Sequence, residues 1–485
     1  MSPSVSQTKL VGTVIATVAL LINTGCSNTL RGNAVSVFDD PFRVAGMPAT
    51  DGPTGIRPNA EDSARKVRGT DGGEIDRLAG IAISDIEDFW DIAYPENFDD
   101  DFASAKALIS FDASDFGGEF CGEDTYGLVN AGFCYSNRTL GWDRGELLPS
   151  LMREHGDIGV VLVLAHEYGH AVARQAGLSR KGTPTLVGEQ QADCLSGAYM
   201  RWLAEDSSPR FSLSTGEGLN NVLAAVISFR DPLLNEGDPD AGLDEHGSAF
   251  ERLSAFQFGF TDGPSACAAI DLREISQRRG DLPVLLPEDQ TGELPVTADS
   301  VRSVVDAMGV LFEPADPPAL SFDTADAENC PDARPSPPAS FCPATNTVVV
   351  NLAELQQMGS QTRRQDGSSL ARGDNTAYSV LVSRYMTAIQ REHGGVPLDT
   401  AAAALRTACL TGVATAKMST EVTTPDGDTI ALTAGDVDEA VSGILTNGLA
   451  ASDVNGESVP SGFARIDAFR LGALTDVERC FKRFP

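Results

Sequence analysis

Positive charge is scarce in this chain: 36 Lys and Arg stand against 69 Asp and Glu, a formal net charge of −33 over 485 residues. Phosphate backbones need Lys and Arg to neutralise them, so the deficit argues against nucleic acid and against charge-driven docking on anionic lipid. Long apolar runs are nearly wanting as well. The only one worth testing as a membrane segment is Leu10 to Ile22, too short to span a bilayer comfortably. No CxxC pair occurs, which argues against a thiolate metal site or a thioredoxin-type redox motif. Histidine is rare, at five residues, so two of them at ligand spacing carry weight. Apolar residues are not scarce: at 42% they exclude wholesale disorder, and the length favours two or three domains over one core.

The Leu10 to Ile22 run follows Lys9 and leads into Asn23, Thr24, Gly25 and Cys26. A charged start, an apolar middle and a small-residue end make a secretory signal. Cys26 after Gly25 points to a bacterial lipoprotein signal over residues 1–26, in which the cysteine is acylated and becomes the first mature residue. Asn23 departs from that pattern, where Leu or Val is usual. The expected location is therefore the cell envelope, with the membrane reached only through an N-terminal lipid anchor.

Eight cysteines remain: Cys121, Cys134, Cys194, Cys267, Cys330, Cys342, Cys409 and Cys480. In an exported chain an even count suggests disulfides, and eight cysteines allow about 105 pairings. The second four lie 209, 208, 215 and 213 residues after the first four, which points to an internal duplication. The neighbours agree. Phe133-Cys134 matches Phe341-Cys342, Ala192-Asp-Cys-Leu-Ser-Gly197 matches Thr407-Ala-Cys-Leu-Thr-Gly412, and Arg252 falls in register with Arg465. If both copies share one fold, the economical pairing is Cys121 with Cys134, Cys194 with Cys267, Cys330 with Cys342, and Cys409 with Cys480.

The expected organisation is a tether over 27–73, a first copy over 74–280 and a second over 281–485. The tether is rich in Gly, Pro, Asp and Ser without apolar periodicity, so much of it is expected to be disordered. Each copy opens with an amphipathic helix, Gly80 to Ala93 and Ala298 to Phe312. Short strands follow near Ala107 to Phe111 and Ala319 to Phe322, then the cysteine hairpin, then long helices. The fold class is α+β with helices dominant.

The chemistry sits on a helix expected from Asp157 to about Ala176, started by an Asp157 cap and stopped at Gly177. Its first half, Ile158 to Leu164, is apolar on nearly every side and should be buried. Inside it lies His166-Glu-Tyr-Gly-His170, an HExxH sequence. Residues four apart share a helix face, so both imidazoles can converge on one ion while Glu167 points beside them at a water. After a Gly/Pro/Thr loop from Gly182 to Gly188 comes Glu189-Gln-Gln-Ala-Asp193. Glu189 completes a His₂Glu set for zinc and leaves the fourth position open, as catalysis requires. Asp193, one turn on, is placed to accept a hydrogen bond from a ligand imidazole.

The combination resembles the neutral zinc metallopeptidase family of bacteria, which has a zincin-like core. The likeness covers roughly Ile81 to Cys267 and includes Phe133-Cys134 and His246-Gly-Ser with Arg252. It implies that His166, His170 and Glu189 hold Zn²⁺ and that Glu167 is the catalytic base, acting on a peptide or protein substrate. Ala171 and Ala173 depart from the family, where His and Gln are frequent. The second copy departs further. Aligning Gly177 with Gly394 sets Ser383, Arg384 and Thr387 opposite His166, Glu167 and His170, and the cysteine register sets Ala404 opposite Glu189. That copy is expected to be catalytically silent, serving stability, an envelope protein partner or the shape of the cleft.

A tetrahedral oxyanion needs a donor besides the metal. His246 is the candidate, because it precedes the segment that a Cys194–Cys267 bond would tie to the active helix; the plainer reading is a loop or cap histidine. His155 and His393 read as helix-start and helix-end residues, and Tyr168 as packed. Against the exported peptidase stand two other readings: an envelope binding or scaffold protein keeping zinc for structure, and a zinc hydrolase of non-peptide amides.

Overall fold

The computed structural model describes residues 40–98, 100–238, 246–288, 291–360 and 370–485. The Leu10 to Ile22 run, Cys26 and the start of the tether lie outside the described residues.

The first half is built from α1 (Glu74–Asn97), α2 (Leu147–His155), α3 (Asp157–Gln175), α4 (Thr185–Ala204), α5 (Glu217–Ser228), α6 (Ala249–Asp262) and α7 (Leu272–Arg279). The second contains α8 (Ala298–Phe312), α9 (Ala325–Glu328), α10 (Leu352–Met358), α11 (Asp374–His393), α12 (Ala401–Met418), α13 (Asp436–Thr446), α14 (Gly462–Ala473) and α15 (Val477–Arg483). Small sheets flank the helices, so the architecture is mixed and helix-rich. Ile81, Ile83, Ile86, Phe89 and Trp90 bury one face of α1, as their spacing requires. The helix starts before Gly80, with Glu74 and Asp76 in a first turn where the helix dipole favours carboxylates.

In the first half Ala107–Phe111 runs parallel to Thr139–Asp143, whose other edge pairs antiparallel with Ala131–Cys134. The second half repeats this with Ala319–Ser321, Thr347–Val350 and Ala339–Cys342. The registers agree: Phe133 faces Leu140 and Phe341 faces Val348. Cys121–Cys134 and Cys330–Cys342 close loops of 13 and 12 residues beside these sheets. Cys194–Cys267 and Cys409–Cys480 close loops of 73 and 71, so the pairing expected from symmetry is the one present.

Each long-range disulfide lies beside a pair of crossed helices, tying α4 to the turn just after α6 through Cys267 and α12 to α15 through Cys480. A Cβ on Gly259 would lie 1.6 Å from the Cys194 carbonyl oxygen, and one on Gly197 2.2 Å from that of Phe256, so only glycine lets α4 and α6 touch. In α12 and α14, Gly472 and Gly412 make the same approach, at 1.7 Å from Cys409 O and 2.1 Å from Phe469 O. One contiguous apolar core, from Val44 to Phe484, runs through both halves.

Four local expectations are corrected. The described part of the tether is ordered: Gly55–Ile56 pairs with Phe211–Ser212, Val67–Arg68 extends the four-stranded sheet, and Arg65 reaches Glu87 at 2.6 Å. A segment with little apolar content needs no core of its own when partners supplied by the helical body satisfy its backbone. Secondly, Asp157 does not cap α3; its Oδ2 accepts from Ile56 N at 3.2 Å, so it fastens that same segment. Thirdly, α4 starts at Thr185, so Gly188 is helical and the loop before Glu189 is shorter than expected. His155, expected at a helix start, ends α2.

Candidate metal centre

Apolar side chains bury α3 on all sides from Ile158 to Ala165, which fixes the helix before it reaches the histidines. His166 and His170 then stand one turn apart, with ring centroids 4.9 Å apart and planes at 87°. Between them Gly169 admits α4: a Cβ there would lie 2.9 Å from the Ala192 backbone. That close crossing delivers Glu189. Its Oε2 lies 3.1 Å from His166 Nε2 and its Oε1 3.3 Å from His170 Nε2. One donor atom from each residue falls within 4.8 Å of the other two, a group able to hold a metal ion.

Asp193 takes the far side of the imidazole, with Oδ1 2.8 Å from His166 Nδ1. This orients Nε2 toward Glu189 and the metal position. Asp193 is fixed in turn by Arg252 of α6, whose Nη2 reaches Oδ1 at 2.6 Å and Nε reaches Oδ2 at 2.8 Å. Arg252 also donates to the Phe229 carbonyl at 2.5 Å. His166, Asp193 and Arg252 are all buried.

The charges are mutually dependent. Burial alone would raise the carboxyl of Glu189, but hydrogen bonds from the two imidazoles hold it far below its ordinary range. Burial likewise opposes charge on His166, and the carboxylates of Asp193 and Glu189 override it and raise its pKa. Burial would raise Asp193 too, yet Arg252 and His166 bring it down. In Glu167 burial wins over the nearby histidines and raises the carboxyl, which suits a group that must accept a proton. Positive charge in the middle of this set is what the carboxylates demand.

The donors open into a cavity of about 750 Å³ lined by Asn130, Tyr135, Glu167, Asp231, His246 and Arg252, among others. His246 therefore reaches the site. Its Nδ1 lies 2.9 Å from Asp231 Oδ1, while Asp231 Oδ2 accepts from the backbone of His246 and Gly247 at 2.9 and 2.7 Å. The Asp231 hydrogen bond raises the imidazole pKa. Tyr135 meets His170 edge-on with centroids 6.5 Å apart, and burial, with Glu189 and Glu167 nearby, pushes its phenol up to about 12.

Sequence reasoning missed Tyr135 and Asp231. Tyr135 directly follows Cys134 on the hairpin, but no spacing rule marks it, and Asp231 is one carboxylate in a strongly acidic chain. Tyr168 is packed as expected, donating to Glu87 at 2.7 Å and accepting from Ala105 N at 2.8 Å.

At the aligned positions of the second half, Ser383, Arg384, Thr387 and Ala404 are buried and belong to no group of possible metal ligands among the described residues. The Arg384 guanidinium instead binds carbonyls of Ala339, Leu449 and Asp453 and the Ser452 hydroxyl. A separate all-carboxylate group, Glu293, Asp374 and Glu439, lies in that half. No family model, no curated protein and no solved structure matches this chain.

Proposed function

We propose that the chain is an exported zinc-dependent peptidase, with the first half as catalytic domain and the second as a related, silent copy. The observation that carries this reading is the convergence of His166, His170 and Glu189 donor atoms beside a half-buried Glu167, in a cavity open to solvent. Two imidazoles and one carboxylate are a zinc donor set, and an open cavity suits catalysis better than a closed structural site. The disulfides suit an oxidising compartment. The parallel order of elements and matching registers support a duplication with a zincin-like catalytic core, and the signal pattern ending at Cys26 supports a lipid anchor.

Held by His166, His170 and Glu189, zinc would supply Lewis acidity toward the scissile carbonyl and a lowered pKa for the attacking water. Glu167 takes the proton from that water and passes it to the leaving amine. His246, held by Asp231 and lining the same cavity, is the donor to the developing oxyanion. Tyr135 keeps its phenolic proton at neutral pH and is a second donor at the rim.

Metal content by mass spectrometry on the exported form tests the site. Near one zinc per molecule is expected, lost in Glu189→Ala and retained in Glu167→Gln. Peptide-library cleavage by the wild type, lower by at least about 100-fold in Glu167→Gln, tests the chemistry. Retained zinc without cleavage of any peptide would favour the scaffold or non-peptide amide reading. Absence of zinc after correct disulfide formation and metal supplementation would overturn the site itself.

A further inference from the structure

The two halves cap each other's helices across their interface, and the two caps are not equivalent. In one direction, Asn220 Oδ1 of α5 accepts from Gly462 N, the first residue of α14, at 2.8 Å. In the other, Asp438 of α13 accepts from Ala249 N and Phe250 N, the first two residues of α6, at 3.1 and 3.2 Å. The exchange is that of an isologous dimer interface written within one chain. Gln257 Nε2 donating to the Phe463 carbonyl at 3.2 Å, and Phe260 against Phe463 at 5.0 Å, seal the seam between α6 and α14.

Only one of these caps starts a helix that lines the metal centre. The first-turn amides of α6 have no partner of their own within the helix. Ser248 Oγ takes the amide of Glu251, and Asp438 takes those of Ala249 and Phe250, so the helix start is completed from the other half. Immediately before this turn stand His246 and Gly247, bound to Asp231; at its end stands Arg252, bound to Asp193, which holds His166. Asp438 also faces Arg230 at 3.8 Å, and Arg230 lies between Phe229, the carbonyl partner of Arg252, and Asp231, the partner of His246. Asp438 thus touches both chain segments that aim the cleft's polar groups, and it is itself buried. Asn220 is neutral, takes a single amide, and caps a helix whose Arg465 binds Leu445 and Val459 carbonyls and the Ser458 hydroxyl.

We infer that Asp438 of the second half is a positioning residue for the metal centre, setting α6 so that Arg252 and His246 are correctly aimed at the site. The silent half then acts as a built-in partner subunit without which the site is incompletely held. This rests on the metal-centre reading above, and the experiment separates the two.

Zinc dissociation constants, by competition with a chromophoric chelator, are compared for the full exported chain, Asp438→Ala and Asn220→Ala, with thermal melting recorded for each. Both variants should lose stability, since each removes a helix cap. Only Asp438→Ala should weaken zinc, by about 10-fold. On a peptide the wild type cleaves, only Asp438→Ala should lower kcat more than it raises KM. Equal zinc affinity in Asp438→Ala and Asn220→Ala would overturn the inference and leave the metal centre standing. No zinc in the wild type would overturn the metal centre first. If Asp438→Ala does not fold, Asp438→Asn, which keeps an acceptor oxygen but loses the charge, is read by the same comparison.

Discussion

Asp193 serves two partners at once, the His166 imidazole at 2.8 Å and the Arg252 guanidinium at 2.6 Å. Its neutral amide analogue keeps the shape and removes the charge. Asp193→Asn is therefore expected to raise the zinc dissociation constant about 10–100-fold, measured by chelator competition. Unchanged affinity in a folded variant would reduce Asp193 to a partner of Arg252. His155 carries a prediction of different origin. Burial lowers its pKa below 6.5 against the opposing pull of Glu154. The folded chain thus holds it neutral while the unfolded chain protonates it, so its contribution to stability is present at pH 7 and is lost as pH falls through 6.5 toward the depressed value. With zinc saturating in both proteins, melting temperature between pH 7 and 5 should fall less steeply in His155→Gln than in the wild type. His166, His170 and Glu167 were legible as a group from spacing alone, because a helix turns residues four apart onto one face. Tyr135 and Asp231 were not, since each comes to the cavity from a separate segment.

Among the elements, α4 with α6 and α12 with α14 are the tightest crossings, each requiring two glycines, with a disulfide running from the first helix to the segment that follows the second. A methyl group at Gly259 has nowhere to go against the Cys194 carbonyl. Gly259→Ala should cost about 1–3 kcal/mol or more in denaturant unfolding. In α8 the nearest atom to a Cβ on Gly309 is Tyr385 Oη at 3.6 Å, ordinary contact, so Gly309→Ala is the control and should stabilise by about 0.5–1 kcal/mol. Similar losses in both would mean that the crossings tolerate separation. The glycines were visible in the sequence as Cys-Leu-Ser-Gly197 and Cys-Leu-Thr-Gly412, but only their place opposite a backbone carbonyl explains them. The start of α4 at Thr185 was missed because glycine reads as loop, whereas packing against α3 carries the helix through Gly188.

For the whole molecule, the seam between the halves joins α5 and α6 to α13 and α14. Phe250 meets Phe469 with centroids 6.3 Å apart, and Phe258 lies under the guanidinium groups of Arg278 and Arg470 at 5.5 and 5.2 Å. Separating the halves would expose these surfaces. Residues 40–288 made alone should bind a hydrophobic dye and self-associate in sedimentation, unlike the full chain. A monomeric, dye-silent first half with full zinc affinity would show that the second is dispensable.

The sequence by itself determined whatever depends on local spacing: the helix-dominated class, the pair of histidines on one face and the recurring cysteine spacings. These are legible because a helix has a fixed period and cysteine spacings can be read directly along the chain. The tertiary structure decided what depends on distant segments meeting. It laid the supposed tether onto the helical body, brought Tyr135 and the Asp231–His246 pair to the cavity, and set Asp438 on the first turn of α6, 189 residues away from Phe250's neighbour Ala249. No local rule specifies such contacts, because they follow from the shared burial of apolar faces contributed by both halves.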